Sequence, residues 1–161
     1  MTSEKACAMI PTHTLNNIAG TPARDERIRT FSRGNFRCDV NFDHESDPSE
    51  LLVSYEPSDF TGEFRTKGVR TFEQIKASVP TTPASIDGAP GEGLTSFSAR
   101  HGWSFLVWRY PDGALLVIKF FTKDSGGAAN ALDLTGPALE VGKIVAPQVR
   151  DLVARPTASP T

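Results

Sequence analysis

Two neighbouring segments of this chain are apolar at almost every position, and this fixes where they must lie in the fold. Residues 103–110 and 114–122 both have the composition of strands, and the intervening Tyr110-Pro-Asp-Gly113 fits a tight turn. Residues 94–100 precede them as a third strand. Strands that are apolar on both faces need cover on both sides. The pattern therefore predicts an antiparallel meander at the centre of a sheet.

Residues 35–43 and 51–55 predict two more strands, and a polar, arginine-rich segment at 21–33 precedes them as a surface loop. The connection between the two strands is too short for a crossover helix, so they should pair antiparallel. Alternate residues of the first strand are apolar and should share one buried face: Phe36, Cys38, Val40 and Phe42.

Helices are predicted at 12–19, 72–79 and 137–153 from apolar residues at helical spacing. Thr71 and the glutamine three residues later form a capping box for the middle helix. Pro147 lies inside the last pattern, where it should kink or split the helix.

The element order α-β-β-α-β-β-β-α, with its strands grouped, predicts an α+β fold. We expect a single globular domain over residues 1–154. It should have an antiparallel sheet of about five strands, with N-terminal, middle and C-terminal helices packed on it. Residues 155–161 are rich in Pro, Thr and Ser and should form a disordered tail.

The chain has two cysteines, Cys7 and Cys38, and Cys38 points inward from its strand. A disulfide between them would attach the amino-terminal segment to that strand. The alternative is two buried free thiols, which pack as small apolar residues. The spacing is not Cys-x-x-Cys, so a redox-active pair is not expected.

The compartment follows from the state of these two cysteines, because cytosolic proteins rarely hold structural disulfides. The start of the chain lacks the apolar core of a signal peptide, and no apolar run approaches the length of a membrane span. Either the chain is a native cytosolic protein or an export signal or anchor lies upstream of it; we favour the second. A formal net charge of −2 argues against a nucleic-acid partner.

The segment Cys7-Ala-Met-Ile-Pro-Thr-His-Thr-Leu-Asn-Asn-Ile-Ala-Gly20, with Cys38 further on in a strand, resembles the opening of a large family of actinobacterial lipoproteins and secreted domains of unknown function. The Gly-rich turn at 88–93 and the later hairpin and Ala-rich helix match that family in layout. Many members have a tryptophan soon after the second cysteine, where Val40 and Phe42 stand here.

The resemblance implies an exported and often membrane-tethered domain. Its sheet-and-helix architecture would be like that of photosystem-associated extrinsic subunits. It carries over no catalytic residues. The acylated cysteine of the lipoproteins lies upstream of this motif, so Cys7 is not read as the acylation site.

Other candidate motifs do not complete a site. The acidic stretch 43–47 after Asp39 lacks the glycine and the terminal glutamate of an EF-hand calcium loop. His13, His44 and His101 do not have the spacing of metal ligands. Neither a Gly-x-Ser-x-Gly motif nor a phosphate-binding loop is present. We therefore predict no catalytic residues, no metal and no cofactor.

The aromatic strand at 103–110 offers the candidate ligand site. Alternation places Trp108 and Tyr110 on one face, with Arg109 at its rim. That face could line a groove, or both faces could be covered by other elements. The overall prediction is a non-enzymatic cell-envelope domain that binds an unknown protein, glycan or lipid. The alternative is a cytosolic small enzyme or small-ligand carrier with reduced cysteines and a pocket near Arg109, His101 or Asp112.

Overall fold

The computed structural model describes residues 1–30, 33–43, 47–64, 68–122 and 132–154. Within these ranges the chain forms nine strands and four helices. In chain order they are β1 (Lys5–Ala6), β2 (Ile10–Pro11), α1 (Thr12–Ala19), β3 (Ala23–Thr30), β4 (Phe36–Phe42), β5 (Glu50–Glu56), α2 (Phe72–Ser78), β6 (Thr82–Ala84), β7 (Glu92–Ser98), β8 (Trp103–Arg109), β9 (Leu115–Phe121), α3 (Thr135–Val145) and α4 (Val149–Ala154).

Strands β3 to β9 form one sheet in the order β3-β4-β5-β9-β8-β7-β6, while β1 and β2 pair with each other in a short ribbon. All neighbours in the large sheet run antiparallel. The α+β class and the antiparallel sheet are confirmed. The predicted meander supplies the central strand β9 and, next to it in order, β8 and β7.

The sheet has seven strands rather than about five, because both edge strands escape the sequence pattern. Strand β3 lies in the segment 21–33, and the prediction of a surface loop there was wrong. Most of its side chains are exposed, so it has no alternation of apolar and polar residues. Strand β6 has three residues and contains Pro83, which a strand tolerates at a sheet edge.

One face of the sheet packs against α1, α3 and α4 and is called the helix face here. Cys38, Val53, Ile118 and Leu106 lie side by side across it, from β4 to β8. Helix α3 approaches β8 closely at Gly142, where a Cβ atom would collide with the side chain of Leu106. The largest part of the apolar core lies between these helices and the sheet.

The opposite face, called the second face here, has a smaller core over β7, β8 and β9. Phe64, Val69 and two residues of α2, Phe72 and Ile75, cover the apolar side chains of those strands. Strands β8 and β9 are therefore buried on both sides, as their composition predicts. Over β4 the second face instead carries polar side chains: Arg37, Asp39 and Asn41.

The helix predictions hold in position. Helix α2 has the expected capping box, because the Thr71 hydroxyl accepts from the Gln74 backbone N–H and the Gln74 side chain accepts from the Thr71 N–H. The terminal helix is split into α3 and α4 around Pro147, as the missing proline N–H requires. The tail prediction for 155–161 lies outside the described residues.

A disulfide joins Cys7 to Cys38, whose Cα atoms are 5.6 Å apart. Both cysteines are fully buried. Cys7 lies in the turn between β1 and β2, and Cys38 lies at the middle of β4 on the helix face. The bond thus fastens the amino-terminal ribbon to the large sheet, which confirms the predicted cross-link.

We expect Cys38→Ser to lower the free energy of unfolding by about 3.5–4 kcal/mol under oxidising conditions, because the unfolded chain regains the freedom of a closed loop of 31 residues. Denaturant unfolding of both proteins measures the difference. After full reduction the two proteins should have nearly equal stability. An equal loss in both conditions would mean that Cys38 matters only for packing.

We expect a chain that ends at residue 134 to aggregate, because it lacks α3 and α4 and exposes apolar side chains of β8 and β9 on the helix face. Size-exclusion chromatography with light scattering measures this. A chain that ends at residue 154 is the matched control and should behave like the full chain. A monomeric, cooperatively unfolding 134-residue chain would contradict the assigned role of these helices.

Candidate functional site

A cavity of about 490 Å³ opens on the second face, where the cover over β8 and β9 ends and the polar half of the sheet begins. Its lining mixes ionised groups with aromatic rings: Arg37, Gly62, Glu63, His101, Trp103, Lys119 and Phe121. It is called the Lys119 cavity below, after the residue with the most unusual environment.

Strand pairing places the side chains of this site. Lys119 of β9 lies directly opposite Phe105 on one side and Leu52 on the other. One row along, Phe121 lies between Trp103 and Glu50. Because these residues alternate with helix-face residues in each strand, all six point to the second face. The site is therefore built from three neighbouring strands of the sheet centre.

Lys119 is buried, with an exposed fraction of 1%. Its Nζ donates to the backbone carbonyl of Glu63 at 2.8 Å. It also lies 4.0 Å from the ring centroid of Trp103, 4.5 Å from that of Phe64 and 5.4 Å from that of Phe121. Aromatic faces attract a cation at such distances. Full burial is rare for lysine, so this environment is an unusual one.

Arg37 and Glu63 form the polar wall of the cavity. Arg37 Nη1 donates to both carboxylate oxygens of Glu63, at 2.8 and 2.9 Å. Its Nε also approaches Asp39 at 3.4 Å. Burial alone would lower the pKa of Arg37, but the charges of Glu63 and Asp39 outweigh it and raise that pKa. The guanidinium is thus held in its charged form between two carboxylates.

Two further carboxyl groups lie at the border of this region. Burial raises the pKa of Glu50, and the charge of Asp39 and a hydrogen bond to it raise it further. Arg37 and Lys119 oppose that shift. Burial also raises the pKa of Glu56, with a contribution from Glu63. Folding therefore disfavours the ionised form of both glutamates.

His101 lies in the turn between β7 and β8, at the aromatic wall of the Lys119 cavity. Its ring stacks on Trp103 with centroids 4.6 Å apart, and its Nδ1 lies 2.7 Å from the Ser98 hydroxyl. His13 lies on α1, beside Asn17. His44 and most of the acidic stretch 43–47 lie outside the described residues. His101 is thus the histidine placed at this cavity.

The residues that sequence reasoning selected for ligand binding are divided between the two faces. Trp108 is 1% exposed on the helix face, and its Nε1 has no hydrogen-bond partner. Tyr110 is 3% exposed and donates to the carbonyl of Ala146 at 2.7 Å. Arg109 lies over the Phe72 ring at 4.2 Å and forms an ion pair with Glu92.

Arg109 and Tyr110 line a second cavity of about 530 Å³ beside the β8–β9 turn, together with Asp59 and Asp112. Trp108 is not part of its lining. Burial raises the pKa of Tyr110, whose hydroxyl donates to the carbonyl of Ala146 at the end of α3. A ligand role for these three residues stays a prediction.

Sequence reasoning missed Lys119, Arg37 and Glu63. One signal was available, since Lys119 is the charged residue in the otherwise apolar run of β9. No such signal marked Glu63, because its place in the site depends on the hydrogen bond from Lys119 to its carbonyl, between residues 56 positions apart.

None of the described helices is long and apolar enough to cross a lipid bilayer. Comparison of the chain with protein-family models, with curated proteins and with solved structures finds no match.

We expect Glu50→Gln to stabilise the protein at neutral pH. A raised pKa means that the folded protein binds the Glu50 proton more tightly than the unfolded chain, so this contribution to stability is full below the ordinary glutamate pKa. It is lost as the pH rises through the folded pKa. Unfolding measured from acidic to neutral pH should show a smaller decline for Glu50→Gln than for the wild type.

Glu4→Gln, at an exposed position, is the control for the removal of one carboxylate elsewhere in the chain. A wild-type protein that gains stability relative to Glu50→Gln as the pH rises would contradict the direction of the shift.

Proposed function

We propose that this chain is a non-enzymatic binding module of the cell envelope and that its ligand, a short glycan, occupies the Lys119 cavity. The observation that carries this proposal is the buried lysine at an aromatic-lined cavity. Burying an ammonium group is costly, and a purely structural core position is served as well by an apolar side chain. A ligand in the cavity is therefore a better explanation for a lysine at this buried position.

The disulfide supports an extracytoplasmic location. Disulfides persist in oxidising compartments, and Cys7–Cys38 is a buried bond of the structural kind. The resemblance to exported actinobacterial domains points the same way. An anchor or export signal upstream would complete this arrangement.

The lining of the cavity favours a glycan over the other ligand classes. A volume of about 490 Å³ is in the range of small-molecule sites, and the concave shape suits a small ligand better than a protein surface. Arg37 donates hydrogen bonds and Glu63 accepts them, which matches hydroxyl groups that do both. Phe121 offers apolar area to the C–H face of a sugar ring, beside a Trp103 ring that already contacts His101 and Lys119. An acyl chain would take the Arg37–Glu63 ion pair out of water without adding a hydrogen bond to it.

Tryptophan fluorescence provides a direct test, because the chain has two tryptophans on opposite faces of β8. Titration with chito-oligosaccharides and β-glucan oligosaccharides should change the emission of the wild type in a saturable way. Trp108→Phe should keep this response, because Trp108 is buried on the helix face. Trp103→Phe should lose it.

Binding should also weaken at least about tenfold in Lys119→Met, measured by calorimetry, because a site built around a buried charge loses its main electrostatic group. Lys143→Met is the matched control, since Lys143 is an exposed residue of α3 on the other side of the sheet. If a fatty acid binds saturably and none of the saccharides binds, the ligand is a lipid rather than a glycan. If neither Trp103→Phe nor Lys119→Met changes saccharide binding, the saccharide does not bind in this cavity.

A further inference from the structure

We propose that the glycan of the Lys119 cavity is an acidic one and that Arg27 and Arg29 of the edge strand β3 bind its carboxylate or phosphate group. This inference rests on the proposed function and adds the class of ligand: an oligosaccharide that extends beyond the cavity and carries an oxyanion on the extending part. The two arginines lie outside the cavity, on the part of the second face that the described structure leaves open to solvent.

Strand register places these two arginines beside the cavity. Arg27 lies opposite Asp39 of β4, and Arg29 lies opposite Arg37. Residues directly opposite each other in neighbouring strands share one face of the sheet. Arg37 and Asp39 point to the second face, so the two arginines of β3 point there as well. Because Arg37 also lines the Lys119 cavity, it connects them to that cavity.

The second face becomes steadily more open from the cavity towards β3. Lys119 is buried, the side chains of Arg37 and Asp39 are 37% and 18% exposed, and both arginines of β3 are exposed. Neighbouring strands lie about 4.8 Å apart, so β3 is roughly 14 Å from β9, with β4 and β5 between them. A single sugar ring does not span this distance. A ligand that contacts both the cavity and β3 is therefore an oligosaccharide.

The charges on β3 and β4 favour an anionic ligand. Arg29 faces Arg37 directly, and like charges in this position destabilise a pair of strands. The carboxylates of Asp39 and Glu63 are already engaged by Arg37. Among the residues that the structure describes, neither Arg27 nor Arg29 forms an ion pair. An oxyanion bound at β3 would compensate this excess of positive charge.

Asp25 is the acidic residue of β3 on the same face, two positions from Arg27. Its Oδ1 accepts from Asn41 Nδ2 at 2.7 Å, so this carboxylate is engaged with β4. A guanidinium group presents paired N–H donors that match the two oxygens of a carboxylate or phosphate. Arg27 and Arg29 are about 7 Å apart along the strand, so their long side chains can both reach one such group.

Matched saccharides test the class of ligand. The chito-oligosaccharides and β-glucan oligosaccharides of the fluorescence titration are compared with forms of equal length that carry one carboxylate, at either end, or one terminal 6-phosphate. At least one acidic form should bind at least about tenfold more tightly than its neutral parent at low salt. The gain should shrink as ionic strength rises, because salt screens charges at an exposed site. The series that gives the gain identifies the oxyanion.

The double variant Arg27→Gln/Arg29→Gln tests whether the gain comes from β3. It should bind acidic and neutral forms with equal affinity and keep the affinity of the wild type for the neutral form. Lys5→Gln/Lys143→Gln is the matched control, because it removes the same charge from two exposed residues away from the second face. The control should keep the whole gain. Thermal unfolding checks that both variants are folded, as expected for exposed positions.

The outcomes separate this inference from the proposed function. If the wild type binds neutral forms as tightly as every acidic form, the assignment of an acidic ligand is overturned and the glycan proposal stands. The same holds if the double variant keeps the gain, or if the control loses it. If no saccharide binds in either form, both proposals fail.

Discussion

The pairing of β5 with β9 is the contact on which the rest of the structure depends. It joins residues 50–56 to residues 115–121, far apart in the chain, and so unites the β3–β4–β5 segment with the β6–β7–β8–β9 segment in one sheet. The first segment has a polar second face and the second an apolar one. Their junction is where Lys119 meets Leu52 and Phe121 meets Glu50. The Lys119 cavity lies at this border.

Much of the fold follows from local patterns. Strands β4, β5, β8 and β9 and helix α2 each carry a period or a cap that identifies them, and Pro147 marks the break between α3 and α4. The edge strands do not, because β3 has few buried side chains and β6 is only three residues long. Alternation of apolar and polar residues reflects one buried face, not the strand conformation itself. A strand with both faces near solvent therefore cannot be recognised by this pattern.

The functional regions were predictable to different degrees. The disulfide could be proposed because Cys38 had to point into the core and a single partner was available. The Lys119 cavity could not, since Glu63 and Phe64 reach it from the covering segment and Arg37 from another strand. Trp108 was selected for its chemistry, yet α3 covers its face. A side chain's neighbours depend on packing between elements, which local sequence does not encode.

The two edges of the sheet differ in how they discourage unwanted growth. An unpaired strand is a template for another chain, and repeated pairing of that kind leads to fibrils. Strand β3 carries charges of both signs along its length, so an incoming strand would have to bury or match them. Strand β6 is too short for stable pairing, and its proline has no N–H to offer. Both edges of the open sheet are therefore poor templates for the addition of another strand.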